Sequence, residues 1–446
     1  MSVSPMSSHQ AGDHGVDSGD ADRHVRHLAD DVTRDIADRV AAHVDPARLL
    51  DSIQTLASFG ARVDGGVDRP ALSPVDLDAR AWLVERASGL GCEVHVDACA
   101  NLFFRRPGAH DVPPVVTGSH ADTQPTGGKL DGCYGVLAGM EVLATLAALD
   151  IRTHYPVDVV VWTNEEGTRF QPGAMGSSAY VEPSRLAQYL PVTDAAGVPL
   201  ADAIDAHTRA LPGLTARPLA APMRAFVELH IEQGPLLEMA GAPLGIVDGI
   251  QGVRWYDIRC EGMAAHAGTT PMAARRDAMT LACVVRAELE AIALSLGGEH
   301  TRVTFGRWSV TPNAINTIAS QVTFSVDFRH PDPTVLARFD DALVQCVVRH
   351  GVSARALFQH APVAFHPDVL GHVEQACTSV FGTVPRLTSG AFHDAMYLAQ
   401  HCPTAMLFVP SRGGISHNPA EATDDAHLVL GARALAHCIT TLSHPF

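Results

Sequence analysis

The 446-residue chain has little positive charge, no CxxC pair and no long apolar run. Its 32 Lys and Arg face 49 Asp and Glu, a formal net charge of −17 at pH 7. Nucleic acid and anionic membranes require a basic surface, so neither is expected as a partner. No stretch approaches the ~18 apolar residues that a membrane-spanning helix needs. A small anionic substrate stays compatible, because one arginine can bind it locally.

The nine cysteines are odd in number and scattered along the chain. This pattern argues against a disulfide framework or a thiolate zinc site and favours reduced thiols in a cytoplasmic protein. Residues 1–30 are polar and acidic, without the apolar core of a secretory signal, and are predicted to form a disordered tail.

Hydrophobic residues make up 46 % of the chain and charged residues 18 %, which excludes a wholly disordered or fibrous protein. The length suggests two or three domains of roughly 150 residues. Residues 114–120 (PVVTGSH) read as a buried strand, 135–149 (GVLAGMEVLATLAAL) as a buried helix, and 157–167 (VDVVVWTNEEG) as a second buried strand with a polar end. This order predicts a βαβ unit of a parallel sheet.

The pattern changes between residues 245 and 360, where alternating strands and two helical stretches predict a smaller α+β unit. The last part of the chain again has the pattern of a strand followed by a helix. We therefore predict an α/β fold. A mixed, mostly parallel sheet with helices on both faces would comprise residues 31–244 and 361–446, interrupted by the unit at 245–360.

Several imidazoles and carboxylates fall in the part of the chain predicted to form the larger sheet. Such side chains bind Zn²⁺ and similar divalent metals, and ligands of parallel sheets bind beyond the carboxyl ends of the strands. The predicted strand ends and loops supply His120, Asp122, Asp131, Glu165, Glu166, His230 and His417.

The spacing of these residues suggests individual roles. His120 and Asp122 would share one side of an extended segment, so the aspartate could orient a metal-binding imidazole. Adjacent side chains point apart, so one of Glu165 and Glu166 could bind metal while the other acts as general base. Asp131 could bridge two ions. Singly, each has a structural alternative: HxD occurs by chance, glutamate pairs cap helices, and a loop aspartate before a helix is often its N-cap.

Seven segments together resemble the hydantoinase/carbamoylase amidases of the M20 metallopeptidase-like group. The HIEQGP and HAGTTPM motifs distinguish this family from ordinary M20 peptidases. The segments appear in the family's order between about residues 115 and 421: GSHADTQPTGGKLDGCYGVLAG, TNEEGTRF, ELHIEQGP, AAHAGTTPMAARRDA, PNAIN, DFRH and GGISHNPAE.

The resemblance implies two divalent metal ions per subunit, Zn²⁺ foremost, with Mn²⁺, Co²⁺ and Ni²⁺ as alternatives. It assigns His120 and His230 to one ion and Glu166 and His417 to the other, with Asp131 bridging.

The resemblance further makes Glu165 the general base and Asp122 the carboxylate that orients a ligand. It also implies that residues 245–360 form a lid and dimerisation domain, through which two subunits would associate as a homodimer. His266 of that domain would reach a partner subunit's site, both to bind substrate and to stabilise the oxyanion.

Three more residues match substrate-binding positions of the family: Gln233, Asn316 and Arg329. A guanidinium suits a substrate carboxylate. The alternative for Arg329 is a salt bridge with Asp327 or Asp332.

The implied activity is hydrolysis of the ureido C–N bond of an N-carbamoyl amino acid, a small-molecule substrate. Two departures concern its side chain: Phe392 replaces glycine in the family's SGAGHDA segment, and Ala265 stands where some members have Asn. The sequences of several segments favour β-ureidopropionase-like members of the family. Allantoate amidohydrolase, M20 aminoacylase or peptidase, and a non-enzymatic metal-dependent binding protein are the alternatives.

Overall fold

The structure, a computed structural model, describes Met1 and residues 31–444 and contains two β-sheets. The predicted tail at residues 1–30 lies outside the described residues apart from Met1. The larger sheet has the strand order β13-β7-β15-β6-β3-β4-β2-β1-β5, with β14 pairing β7. Its strands are β1 (Glu93–Val96), β2 (Leu102–Arg106), β3 (Val115–His120), β4 (Val157–Trp162), β5 (Thr215–Ala216), β6 (Ala225–Ile231), β7 (Gly245–Ile250), β13 (Val363–Ala364), β14 (Arg386–Ser389) and β15 (Thr404–Val409).

Helices flank this sheet, and some of them start at a side-chain cap. Asp45 and Ser73 each accept hydrogen bonds from first-turn N–H groups of the helix that follows, as N-caps do. The helices of the larger unit are α1 (31–42), α2 (Pro46–Ser58), α3 (Pro74–Gly89), α4 (Cys133–Ala148), α5 (Met175–Val181), α6 (Leu186–Tyr189), α7 (Leu200–Ala210), α8 (Leu236–Ala240), α11 (Pro367–Val380), α12 (Ala395–Leu398) and α13 (Asp425–Ser443).

The central strands β15, β6, β3 and β4 run parallel to one another. Every residue of these four strands is buried, which explains their continuous runs of apolar and β-branched residues. Helix α4 is buried along nearly its whole length against β3 and β6. The predicted mixed, mostly parallel α/β fold flanked by helices is confirmed.

The second sheet has the order β10-β11-β8-β12, with β9 pairing β11. Strand β11 alternates strictly between buried and half-buried residues, and its buried face packs with the helices in a separate core. This unit comprises β8 (Gly252–Glu261), α9 (Ala278–Gly297), β9 (Arg302–Thr304), β10 (Trp308–Thr311), β11 (Gln321–His330), α10 (Pro333–His350) and β12 (Ser353–His360).

One boundary differs from the sequence-based expectation. The interrupting unit was predicted to begin at residue 245, but β7 pairs with β15 in the larger sheet, so the second sheet begins at Gly252. The short apolar run of β7 resembles the strands on either side of it, and only its pairing assigns it to the larger sheet.

Two further observations concern the cysteines and the possibility of a membrane-spanning helix. All nine cysteines are free thiols, and all but Cys92 and Cys283 are buried. Within residues 31–444, no helix combines the length and apolar character needed to cross a membrane.

Candidate metal and catalytic centre

The predicted metal ligands gather at the carboxyl ends of the central strands. His120 ends β3 and His230 is the penultimate residue of β6. Glu165 and Glu166 follow the end of β4, which lies beside β3. Parallel neighbours end at the same sheet edge, so the fold brings these side chains together. His417 reaches the same place from the loop between β15 and α13.

Asp131 lies at the centre of two groups of potential ligands. One group comprises His120, Asp131 and His230, and the other comprises Asp131, Glu166 and His417; in each, the ligand atoms lie within 4.8 Å of one another. Oδ1 of Asp131 lies 3.2 Å from Nε2 of His230, and Oδ2 lies 3.1 Å from Nε2 of His417. One carboxylate thus offers one oxygen to each group. Asp131 precedes α4 but caps no N–H group there, so the N-cap alternative does not hold.

The imidazoles of the first group are oriented for metal binding. Nδ1 of His120 lies 2.9 Å from the carbonyl oxygen of Asp122, and Nδ1 of His230 lies 2.9 Å from that of Ile231. A carbonyl only accepts, so Nδ1 of each ring donates and Nε2 is the ring atom left for a metal. Both Nε2 atoms face Asp131. Imidazoles and carboxylates arranged in this way fit two divalent cations.

Asp122 differs from its predicted contact. The expectation was that its carboxylate would accept the spare N–H of His120, but the backbone carbonyl does so, and the carboxylate is 3.8 Å from Nδ1. The carboxylate instead accepts the backbone N–H groups of Glu165 and Glu166, each at 3.2 Å. Because the chain turns after β3, Asp122 holds the histidine through its main chain and the glutamate pair through its side chain.

The charges in the cluster are strongly coupled. Burial opposes ionisation of Asp131, but the three imidazoles that surround its carboxylate hold its pKa well below its ordinary value. The hydrogen bond to Asp131 raises the pKa of His417 to about 9 despite the burial that opposes it. Asp131 is therefore ionised and already acts as the shared counter-charge of the cluster.

The two adjacent glutamates have different surroundings. Glu166 accepts hydrogen bonds from the backbone and side-chain amides of Gln124, and burial raises its pKa to about 7. Glu165 belongs to neither ligand group among the described residues. Its Oε2 lies 3.5 Å from Nε2 of His120, and burial raises its pKa well above the ordinary value. A buried carboxyl with a raised pKa beside a metal site has the properties of a general base.

Strained backbone accompanies the site. Asn164, Gln233 and His417 all adopt positive φ, between 53° and 58°, a region that non-glycine residues seldom occupy. Gly132 has φ +63°, and a Cβ there would approach three ring atoms of His120 to 2.4 Å. Only glycine therefore allows the loop after Asp131 to pass beneath that imidazole.

Arg69 is a contributor that the sequence analysis missed. It is completely buried, and its Nε donates to the carbonyl oxygen of Ala121 at 2.7 Å. Its Nη1 donates to the carbonyls of Leu56 and Phe59, and its Nη2 contacts the Cys133 sulfur at 2.9 Å. The guanidinium thus ties the segment after β3 to the start of α4. An arginine in a turn rich in Gly and Pro gives no sequence signal of such burial.

Glu421 was also missed. It is buried, and Oε1 accepts the backbone N–H groups of Leu130 and Asp131. The Ser416 hydroxyl donates to Oε2 at 2.8 Å. Glu421 therefore fixes the backbone of the loop that carries Asp131. Its place four residues after His417, at the end of the GGISHNPAE segment, was the available signal.

Gln233 and Arg329 lie around one pocket beside the cluster. Nε2 of Gln233 donates to Asp131 at 2.8 Å. The pocket has a volume of about 330 Å³, and both residues line it together with Glu165. Arg329 also forms the salt bridge weighed as its alternative, to Asp327 at 2.8 Å, while its Nη1 donates to the Gly390 carbonyl.

His266 and Asn316 lie elsewhere in the single chain. Both are exposed, and neither lines a described pocket that contains Asp131. They neighbour each other, since the Ala267 N–H donates to the Asn316 carbonyl. Nδ1 of His266 accepts the N–H of Gly268 at 3.1 Å. Within one chain the fold therefore assembles the predicted metal ligands but leaves this pair apart from them.

Comparison with known proteins decides the family. The family model described as peptidase family M20/M25/M40 matches residues 116–441. The chain belongs to this family. The resemblance to hydantoinase/carbamoylase amidases is also confirmed. The crystal structure of an amidase of that family from Burkholderia multivorans is 41 % identical, with a TM-score of 0.82, and the alignment covers 90 % of this chain and 98 % of that one.

Two relatives of similar identity are named for different substrates. An N-carbamoyl-L-amino acid amidohydrolase of Geobacillus stearothermophilus is 36 % identical over 89 % of this chain and 98 % of its own length. An allantoate amidohydrolase of Bacillus subtilis is 35 % identical over 89 % of this chain and 97 % of its own. This family member is therefore an amidohydrolase, as predicted. The two relatives are too close in identity for the comparison to choose the substrate.

Proposed function

We propose that the protein hydrolyses the ureido C–N bond of an N-carbamoyl amino acid, giving the amino acid, CO₂ and ammonia, with two divalent cations bound per subunit. The observation that carries this proposal is the single carboxylate of Asp131 shared between two ligand groups, with Glu165 and Arg329 around the adjoining pocket. Two cations about 3.5–4 Å apart are a recurrent arrangement in hydrolases.

The chain's own residues would act as follows. His120, His230 and Asp131 would hold one cation, and Asp131, Glu166 and His417 the other. Cations bound there would supply Lewis-acid polarisation of the substrate carbonyl. The Glu165 carboxylate would take a proton from the attacking water. As the water oxygen bonds to the carbonyl carbon and the C–N bond breaks, Glu165 would return the proton to the departing nitrogen. The carbamic acid formed in this step would then break down to CO₂ and ammonia.

Substrate orientation would depend on Arg329 and Gln233. An Arg side chain has five N–H donors, and those of Arg329 not used by Asp327 and Gly390 can bind the substrate carboxylate. The side-chain amide of Gln233, next to Asp131, would position the carbamoyl group. The native metal is proposed to be Zn²⁺, with Mn²⁺, Co²⁺ and Ni²⁺ as alternatives, because such ligands accept them all.

The second unit, which begins at Gly252 and ends with β12 at His360, is proposed to act as a lid and to form a homodimer. His266 and Asn316 are exposed and outside the pocket of their own chain, which supports a role in a neighbouring subunit's site. There, His266 would donate to the developing oxyanion, and Asn316 would contact the substrate. The active unit is then the dimer.

The second candidate is allantoate hydrolysis, favoured by the Bacillus subtilis relative at nearly equal identity. Both reactions release ammonia from a ureido group, so the metal centre serves either.

One panel separates the candidates. The purified protein, loaded with each metal in turn, is assayed for ammonia release from N-carbamoyl-L-amino acids, N-carbamoyl-β-alanine and allantoate, and for cleavage of N-acetyl amino acids. We expect turnover of N-carbamoyl-L-amino acids. Turnover confined to allantoate or to the N-acetyl compounds would refute the proposal.

A further inference from the structure

One face of the second sheet presents two kinds of side chain to the pocket. Arg329 is the register partner of Val253, while Asp327 is the partner of Trp255. On the other side of β8, Trp255 pairs with Phe358. Directly paired residues share a sheet face, and Trp255 lies two residues from Val253 along β8. A guanidinium therefore lies on the same face as two aromatic rings, two register positions away. Four of these residues line the pocket beside the metal ligands: Val253, Trp255, Arg329 and Phe358.

A third ring comes from the larger unit. Phe392 lies on the loop between β14 and α12, and its ring centroid is 6.1 Å from that of Phe358 in an edge-on arrangement. Phe358 is in turn 5.4 Å from Trp255. The three rings form an aromatic cluster that joins both units. The cluster is incompletely covered, because Trp255 remains 40 % exposed and all three rings line the pocket.

The lining of the pocket is therefore of two kinds. The carboxylates of Asp131, Glu165 and Glu166 line it, and so do the three rings of the aromatic cluster together with the apolar side chains of Val253 and Pro172. Apolar rings left open towards a site that otherwise binds polar groups indicate a place for an apolar part of the ligand.

We propose that Trp255, Phe358 and Phe392 form the subsite for the substrate's side chain and that the preferred substrates carry an aromatic side chain, as in N-carbamoyl-phenylalanine. This inference rests on the proposed function. The carbamoyl group is then at the metal ligands, the carboxylate at Arg329, and the side chain against the three rings.

This subsite disfavours the other ureido substrates. N-carbamoyl-β-alanine has no side chain to cover the rings. Allantoate would bring a second polar ureido group against them, where it would lose hydrogen bonds to water without replacement. Burial of a phenyl side chain is worth about 10- to 100-fold in affinity. We therefore expect kcat/KM for N-carbamoyl-L-phenylalanine to exceed that for N-carbamoylglycine by about this factor.

The test compares these two substrates in the metal-loaded wild type and three variants. Phe392→Ala and Trp255→Ala each remove one ring and should reduce the phenylalanine-to-glycine ratio of kcat/KM by about 10-fold. Phe381→Ala is the matched control, because Phe381 is 55 % exposed at the end of α11 and its loss should leave the ratio unchanged. Trp255 is the more exposed ring, so its variant informs the test even if Phe392→Ala misfolds.

Binding to metal-loaded Glu165→Gln, measured by calorimetry, separates this inference from the proposed function. Tighter binding of N-carbamoyl-L-phenylalanine than of N-carbamoylglycine, lost in the Trp255→Ala background, supports the subsite even if the wild type hydrolyses neither compound. Hydrolysis of both at equal kcat/KM, or faster hydrolysis of the glycine compound, would overturn the subsite while the proposed reaction stands. A ratio that persists in both ring variants would overturn it as well.

Discussion

Arg69 provides a sharp test of how the metal loop is held. We consider Arg69→Met, which keeps an unbranched side chain of similar length and removes the charge and every donor. In the native protein the guanidinium satisfies the carbonyls of Leu56, Phe59 and Ala121 at 2.7 Å each. Ala121 lies between His120 and Asp122, so its carbonyl is part of the segment that presents the metal ligand.

The magnitude follows from these three contacts. A buried carbonyl left without a donor costs about 1–3 kcal/mol. The Leu56 carbonyl keeps the Phe59 N–H at 3.3 Å and the Ala121 carbonyl keeps the Cys133 thiol at 3.7 Å. Of the three, only the Phe59 carbonyl loses every donor within residues 31–444, so we expect a loss of about 1–3 kcal/mol in the free energy of unfolding. Release of a fully buried charge offsets part of this cost. Without the link to Cys133, the two limbs of the metal loop can separate. We therefore also expect the folded variant to bind less metal.

The assay is urea unfolding followed by circular dichroism, together with metal content measured after dialysis. Arg62→Met is the matched control, because Arg62 lies in the same turn region, is only half-buried and pairs with its neighbour Asp64. Its loss should change the unfolding free energy by less than about 0.5 kcal/mol. An Arg69→Met protein with wild-type unfolding and two retained metal ions would refute the proposed role of Arg69. Arg69→Lys, which keeps the charge but fewer donors, should fall between the two.

Three further predictions concern the proposed catalytic set. Glu165→Gln should keep both metal ions, measured by elemental analysis, yet lose nearly all ammonia release; a folded variant with less metal would show that Glu165 and Glu166 have exchanged roles. Asp131→Ala should lose metal from both sites, since it is the proposed bridge, and two ions retained per chain would exclude that role. His266→Ala and Glu165→Gln should each be nearly inactive as homodimers, because an oxyanion donor is worth about 10²–10³ in rate. Mixed dimers formed from the two contain one intact site, so random mixing should restore about a quarter of wild-type activity; verified mixed dimers without recovery would show that His266 does not act across the interface.

The sequence alone was sufficient to predict two of the four central strands, β3 and β4, and the helix α4 between them. Fully buried strands require continuous apolar runs. The segments ending at His120 and Trp162 have such runs, so they were predicted to be parallel strands connected by the helix α4. Parallel neighbours end at one edge, and the proximity of His120 to Glu165 and Glu166 followed from that rule. The chemical type of each ligand at a strand end could also be predicted, because it depends only on which residue stands there.

Tertiary structure alone decided which atoms meet. The direction of the Asp122 carboxylate depends on the turn after β3, and periodicity does not specify how a chain leaves a strand. Arg69 lies 52 residues before Ala121 in the chain, and the burial of its guanidinium depends on several separate segments closing around it. The aromatic cluster likewise needs the register of β8 with β12 and the approach of Phe392 from the other unit. Such contacts join distant parts of the chain, and local patterns contain no information about them.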